Sequence, residues 1–345
     1  MKILEWSHSA RDFMNSFERW LYSEYSSKDC ESNPAWVGRG LGKSFSYFIV
    51  EEKFLGNSHP IKLMVLLDYD DGNGYKPVDF KLDARLFDHI MNTQRLSNYI
   101  VFKSQRAASD ELCKNYPIPK ENVHPLGYFC DNIDKTIQLK PKVTRDMSER
   151  DIDVFWCGNV PSYSDSEWTY KDLDIKYWGS RNRRLGYEKL WELKSARDDL
   201  NIFVSDKRMS FDKYVDLISR AKVCVDLPGV GFHTRRLPEL LVLERCTLAC
   251  EKINELNFDL VDEKHIHRYN IDYSNFESKI DYLLNNPDII KRTEENLKEI
   301  QHFLTWRYAA ENMFRIIEKR LFELRAGNEI GDILIDNKPK SGEIS

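Results

Sequence analysis

VCVDLPGVGFHTRRLPELLVLERCTLAC, residues Val223 to Cys250, sets a strand, a glycine-containing loop, a basic pair, a glutamate on a helix and a second strand within 28 residues. Val223–Asp226 and Cys246–Cys250 are short apolar runs of the kind buried on both faces of a parallel sheet. Between them Arg236–Glu244 reads as a helix, and Pro228–Thr234 as the loop that enters it. Strand, loop, helix and strand in this order commit the region to an α/β fold.

The same alternation continues on either side. Val154-Phe155-Trp156-Cys157 is a strand ending in Gly158 and a long loop, followed by Ile175–Trp178 as a strand. Arg183–Arg197 carries Tyr187, Leu190, Leu193 and Ala196 as one helical stripe, and Asn201–Val204 returns as a strand. Ser210 caps a helix with Tyr214, Leu217 and Ile218 on one face. Helices follow at Phe276–Leu284, Asp288–Phe303 and Trp306–Leu324. In the first half the pattern gives strands at Met1–Trp6, Tyr47–Val50, Ile61–Leu67 and Tyr99–Phe102, with helices at Ala10–Tyr25 and Ala84–Met91. Asp131–Glu149, polar and interrupted by Pro141, reads as a linker. The expected organisation is an N-terminal domain over 1–150, a C-terminal domain over 151–303, a crossing helix at 304–325 and a polar tail at 326–345.

The chemistry at Pro228–Glu239 suits a nucleoside diphosphate. Loop N–H groups and a helix start favour an anion, and Arg235 and Arg236 in the first turn offer guanidinium forks to phosphate oxygens. Glu239, three residues after Arg236, shares its face and has two oxygens for ribose hydroxyls. His233 flanks the same loop as a further donor. Arg181, Arg183 and Arg184 cluster at another helix start, where positive charge opposes the helix dipole and a nearby anion would relieve it.

On these residues the chain resembles the C-terminal donor domain of GT-B glycosyltransferases, in the group-1-like and exostosin-like branches. The shared pattern is Thr-x-Arg-x-x-Glu followed by a strand, met here by Thr234, Arg236 and Glu239. The likeness extends from Asp153 to about Leu324 and includes the strand ending in Gly158, the Ser210-Phe211-x-x-Tyr214 helix and the Trp306 helix. It implies a GT-B fold of two Rossmann-like domains, with the last helix crossing back to the first. It further implies that Glu239 holds ribose and that Arg236 and the loop backbone around Gly231 meet the diphosphate. Gly158 and Asn159 would border the donor, with the base held near Arg208 and Met209. The co-substrate would be a nucleoside-diphosphate sugar, the acceptor a glycan or other hydroxyl, with no metal or other cofactor required. Two departures stand out. Glu244 replaces a glycine five residues after the glutamate, and Gly231 stands where retaining members carry an acidic residue, which favours inversion.

Inverting transfer needs a base for the acceptor hydroxyl. Asp70 is the first candidate, with Asp68, Asp71 and His8 behind it, all close after strands of the N-terminal half. Asp68-Tyr69-Asp70 also has the form with which metal-dependent GT-A glycosyltransferases hold a divalent cation, although Asp-x-Asp recurs at 151–153 and 172–174. Other motifs fail on spacing. Gly38–Ser44 lacks the first glycine of a phosphate loop, Gly229–Thr234 lacks the third glycine of a dinucleotide fingerprint, and Asp68–Gly74 has no calcium-loop frame. No metal quartet emerges from the eight histidines; His265 and His267 alternate on an expected strand outside the motif.

Composition narrows the partners. Lys and Arg number 51 against 56 Asp and Glu, a net charge of -5, so charge-driven nucleic-acid binding is not expected and a phage-type DNA base glycosyltransferase would need a local basic cleft. A non-catalytic nucleotide-binding protein is the remaining alternative, with Glu244 its best argument. Seven cysteines without a CxxC pair read as reduced core thiols. No apolar run approaches the about 20 residues that span a membrane, and no signal core or glycosylation sequon is present, so the expected location is cytoplasmic.

Overall fold

The computed structural model describes residues 2–7, 24, 31–33, 45–52, 61–68, 98–103, 120–125, 133–143, 145–160, 179–228, 234, 236–253 and 258–336. The strands are β1 (Lys2–Ser7), β2 (Glu31–Asn33), β3 (Phe45–Glu52), β4 (Ile61–Asp68), β5 (Tyr99–Lys103), β6 (Val123–Pro125), β7 (Ile152–Cys157), β8 (Ile202–Ser205), β9 (Ala221–Asp226), β10 (Thr247–Cys250) and β11 (His267–Tyr269). The helices are α1 (Ile133–Val143), α2 (Gly179–Ala196), α3 (Phe211–Ser219), α4 (Arg236–Val242), α5 (Phe276–Leu284), α6 (Pro287–Asn296) and α7 (Trp306–Asp336). Contacts divide the chain into two units: Met1–Asp68 with Arg85–Phe102 and Ala310–Ser345, and Tyr69–Ala84 with Lys103–Ala309.

The second unit is built on a five-stranded sheet in the order β11-β10-β9-β7-β8, with every pair parallel. Successive side chains on a strand point to opposite faces, so β7 sends Val154 and Trp156 into one core layer and Phe155 and Cys157 into the other. Helices cover both layers, which is why these strands read as unbroken apolar runs. Leu190 and Leu193 of α2, Leu237 and Leu241 of α4, and Ile280 of α5 join the first layer. Leu139 of α1 and Val215, Leu217 and Ile218 of α3 join the second. On α2 the buried stripe is Asn182, Gly186, Leu190 and Leu193, a turn earlier than expected, while Ala196 is exposed. A side chain at Gly186 would collide with the Tyr273 hydroxyl and Leu227, so glycine permits this close approach.

A buried ionic cluster ties three elements together. Arg150, just before β7, forks onto Glu294 of α6 with both bonds at 2.8 Å. Arg245, before β10, reaches the same carboxylate at 3.2 Å, and the Cys246 N–H donates to it at 3.3 Å. Both arginines are nearly inaccessible, so one carboxylate offsets two desolvated cations.

In the first unit β3 runs antiparallel to both β1 and β4, and β1 pairs in parallel with β2. The unit is therefore not the Rossmann-like parallel domain that was expected. The reason is the connection from β3 to β4, residues 53–60, which is too short for the crossover of a dozen or more residues that parallel strands require. Phe48, Val50, Leu63, Val65 and Leu67 are buried in it, as are Met313, Ile317 and Leu321 of α7.

Three boundaries also move. Asp131–Glu149 is not a linker, because α1 lies within it and buries Ile133, Thr136 and Leu139 at three-residue steps, with Pro141 in its last turn. The division accordingly falls near residue 103, not 150. At the other end α7 continues to Asp336, into the expected polar tail, since no proline interrupts the sequence before Pro339. The strands expected at Val223, Cys246 and Asn201 and the helix at Phe276–Leu284 are found within a few residues. The expected helices Ala10–Tyr25, apart from helical Glu24, and Ala84–Met91, and the strand Ile175–Trp178, lie outside the described residues.

Candidate functional site

In a parallel sheet of this order, β8 lies on one side of β7 and β9 on the other, so the loops leaving the carboxyl ends of β7 and β9 part and leave a crevice. Beside it, at the carboxyl ends of β7 and β8, opens a cavity of about 370 Å³. Cys157, Gly158 and Asn159 line it from the end of β7, and Asp206 to Met209 from the loop after β8. Phe211 and Tyr214 of α3 and Arg236 and Glu239 of α4 complete it. Ser210 fixes the start of α3 by accepting from the Lys213 N–H.

Arg236 is held on two sides. Its guanidinium lies over the Trp156 ring, 5.4 Å from the centroid, and a side chain at Gly158 would run into its Nη2. Nη1 is buried without a hydrogen-bond partner among the described residues. Arg183 donates from Nε to the Pro228 carbonyl at 2.7 Å and from Nη1 to the Asn159 carbonyl at 3.3 Å. Burial, and then the Arg236 charge, pull Arg183 below the usual guanidinium range. Two cations that disfavour each other leave local positive potential for an anion.

Asp226, the last residue of β9, is fully buried within reach of both charges. Its Oδ1 accepts from the Thr234 hydroxyl at 2.5 Å, whereas Oδ2 has no hydrogen-bond partner among the described residues. Burial pushes the carboxyl up to about 6, against the opposing pull of Arg236, the Thr234 bond and Arg183. Thr234 Oγ1 in turn accepts from the Leu237 N–H at 3.2 Å and so caps α4. The hydroxyl thus spends its one hydrogen and one of its two lone pairs inside the protein, and Thr234, buried and not lining the cavity, shapes the site from behind. With only seven residues in α4 and one of its free N–H groups taken by Thr234, the positive charge in the cavity comes chiefly from side chains.

Of the residues expected at the donor, the cavity gathers Gly158, Asn159, Arg208, Met209, Arg236 and Glu239. Arg183 stands beside it, bonded to Asn159. Gly231, His233 and Arg235 lie outside the described residues, as do the expected bases Asp70 and His8; Asp68 is described only as the last residue of β4. Cys157, Asp206, Lys207, Phe211 and Tyr214 line the cavity without having been singled out for it. An aspartate ending an apolar strand was the available signal for Asp226; Tyr214 gave none, since its place on a helical stripe reads as core.

Glu244 does not line the cavity. It has φ 53° at the end of α4, where its N–H donates to Leu241 O at 3.1 Å and the Arg245 N–H to Leu240 O at 3.0 Å. That is a Schellman ending, in which the left-handed residue is most often glycine. The Glu244 carboxylate pairs with Lys140 of α1 at 2.6 Å. His265 accepts from the Val261 N–H in a turn, and His267 Nε2 meets Thr293 Oγ1 at 3.0 Å; burial lowers both imidazoles, and both serve the core. The described cysteines 157, 224, 246 and 250 are free and buried, and burial raises all four thiols. Among the described residues no group of three or more His, Cys, Asp or Glu could hold a metal, and no helix is long and apolar enough to cross a membrane. Compared with protein-family models and with curated proteins, the sequence finds no match.

Proposed function

We propose that the chain is a glycosyltransferase, built at its donor half like a GT-B enzyme, that moves a sugar from a nucleoside-diphosphate sugar to a hydroxyl acceptor such as a glycan. One observation carries the reading: Arg236 and Glu239, a cation and a carboxylate one turn apart, both line a cavity at the carboxyl ends of β7 and β8 beside the switch point of a parallel sheet. Arg236 meets the diphosphate and Glu239 accepts from the ribose hydroxyls. The acceptor oxygen attacks the anomeric carbon, the bond to the diphosphate oxygen breaks, and the departing anion keeps the electron pair. Fixed positive charge on Arg236 stabilises that anion without a metal. The acceptor proton passes to a base, with Asp70 first in line and Asp68 and His8 next.

The non-catalytic reading drew its strength from Glu244, and that residue answers to the ending of α4 instead. A thermal-shift panel of UDP-, GDP-, ADP- and CMP-sugars tests the proposal. A binding donor at 100 times its dissociation constant stabilises the fold by about 2.7 kcal/mol. Glu239→Ala weakens that binding while the fold stays intact. Activity persists in EDTA. No shift with any donor overturns the proposal, and strict Mn²⁺ dependence lost on Asp68→Asn moves the chemistry to Asp68-Tyr69-Asp70.

A further inference from the structure

Tyr214 presents a chemical mismatch on the inner wall of the cavity. Its ring is anchored between Phe155 and Phe211, each 5.9 Å away between centroids. Only 8% of the residue is exposed. Its hydroxyl is buried without a hydrogen-bond partner among the described residues, although a buried tyrosine normally finds one. Arg236, on the same cavity, likewise has a buried donor, Nη1, without a partner among the described residues. The two groups are near enough to feel each other: burial and the Glu239 charge raise the Tyr214 phenol, and the Arg236 charge lowers it. The phenol therefore stays protonated and available as a donor.

Resting on the nucleotide reading above, we propose that the Tyr214 hydroxyl and Arg236 Nη1 together hold one phosphoryl oxygen of the nucleotide. Two donors, one of them charged, match an anionic oxygen with several lone pairs better than a ribose hydroxyl, which must also give its own hydrogen away. Glu239, an acceptor only, takes the hydroxyls instead. Arg236 suits the task because Trp156 and the bare Gly158 fix its position before ligand arrives. Phe155 and Phe211 do the same for Tyr214. Neither donor has to break an internal bond to bind.

The test is Tyr214→Phe in the full chain, titrated with UDP, GDP, ADP and CDP beside the matching nucleosides. Without ligand the variant melts at or above the wild-type temperature, because it loses no bond and sheds a buried hydroxyl. Its dissociation constant for the diphosphate that wild type prefers rises about tenfold, the scale of one hydrogen bond to a charged group. Affinity for the matching nucleoside is unchanged. An unaltered diphosphate affinity overturns the inference and leaves Tyr214 as packing, and an equal loss on the nucleoside overturns it in favour of ribose or base contact. If wild type binds none of the four diphosphates, the nucleotide reading itself falls, a result distinct from either.

Discussion

Asp226 sits where a carboxylate is expensive, out of water with one oxygen unpaired, and two arginines compensate only in part. Its folded value of about 6 exceeds the ordinary aspartate value of about 3.9. The folded chain therefore keeps a proton that the unfolded chain has released between those values. In that window stability falls as pH rises; the penalty is absent below about pH 4 and complete above about pH 6. Asp226→Asn keeps an acceptor for Thr234 and abolishes the titration. Urea denaturation across pH is expected to show wild type losing stability relative to Asp226→Asn from about pH 4 to about pH 6. Parallel curves would mean that Arg236 and Arg183 keep Asp226 ionised throughout.

Helix α4 carries the two side chains on which the proposed function rests, and its ending explains a departure in sequence that looked functional. A left-handed residue other than glycine costs about 1–2 kcal/mol, and the partly buried Lys140 pair returns less than about 1 kcal/mol. Glu244→Gly is accordingly expected to stabilise the chain by about 0.5–1 kcal/mol in chemical denaturation and to leave nucleotide affinity alone. A loss of affinity would tie Glu244 to the site after all. What the sequence disclosed at this scale follows burial. β7, β9 and β10 were legible because both faces are covered and apolar residues run without a break. α1 was not, because Ile133, Thr136 and Leu139 are buried between exposed Lys135, Ile137 and Gln138, and Pro141 looked like a breaker. Arg236 and Glu239 could be paired from helical spacing alone. Tyr214 could not, since a tyrosine on an apolar stripe looks the same whether or not its hydroxyl meets a cavity.

At the scale of the whole molecule, the described residues lining the cavity all belong to the second unit, and so does the first-choice base Asp70, within Tyr69–Ala84, whereas the alternative bases Asp68 and His8 belong to the first. Asp70→Asn is expected to lower turnover by roughly 10² to 10⁴ and to leave the donor dissociation constant as it was, which paired kinetic and equilibrium measurements would show. A matching fall in donor affinity would assign Asp70 to the donor instead. The mixed sheet of the first unit was hidden in the sequence, because alternating strands and helices look alike until the length between β3 and β4 is weighed. The ionic cluster around Glu294 has a consequence in time. Arg150 is made 144 residues before the carboxylate that neutralises it. At synthesis rates of about 5–20 residues per second, that is a wait of roughly 7–30 s. Through that interval the segment entering β7 carries a guanidinium that cannot be buried at acceptable cost, so an interior strand stays uncommitted until α6 has emerged. On this account β7 completes its burial only after α6 has emerged, and the pace of translation through residues 151–294 sets the length of that wait.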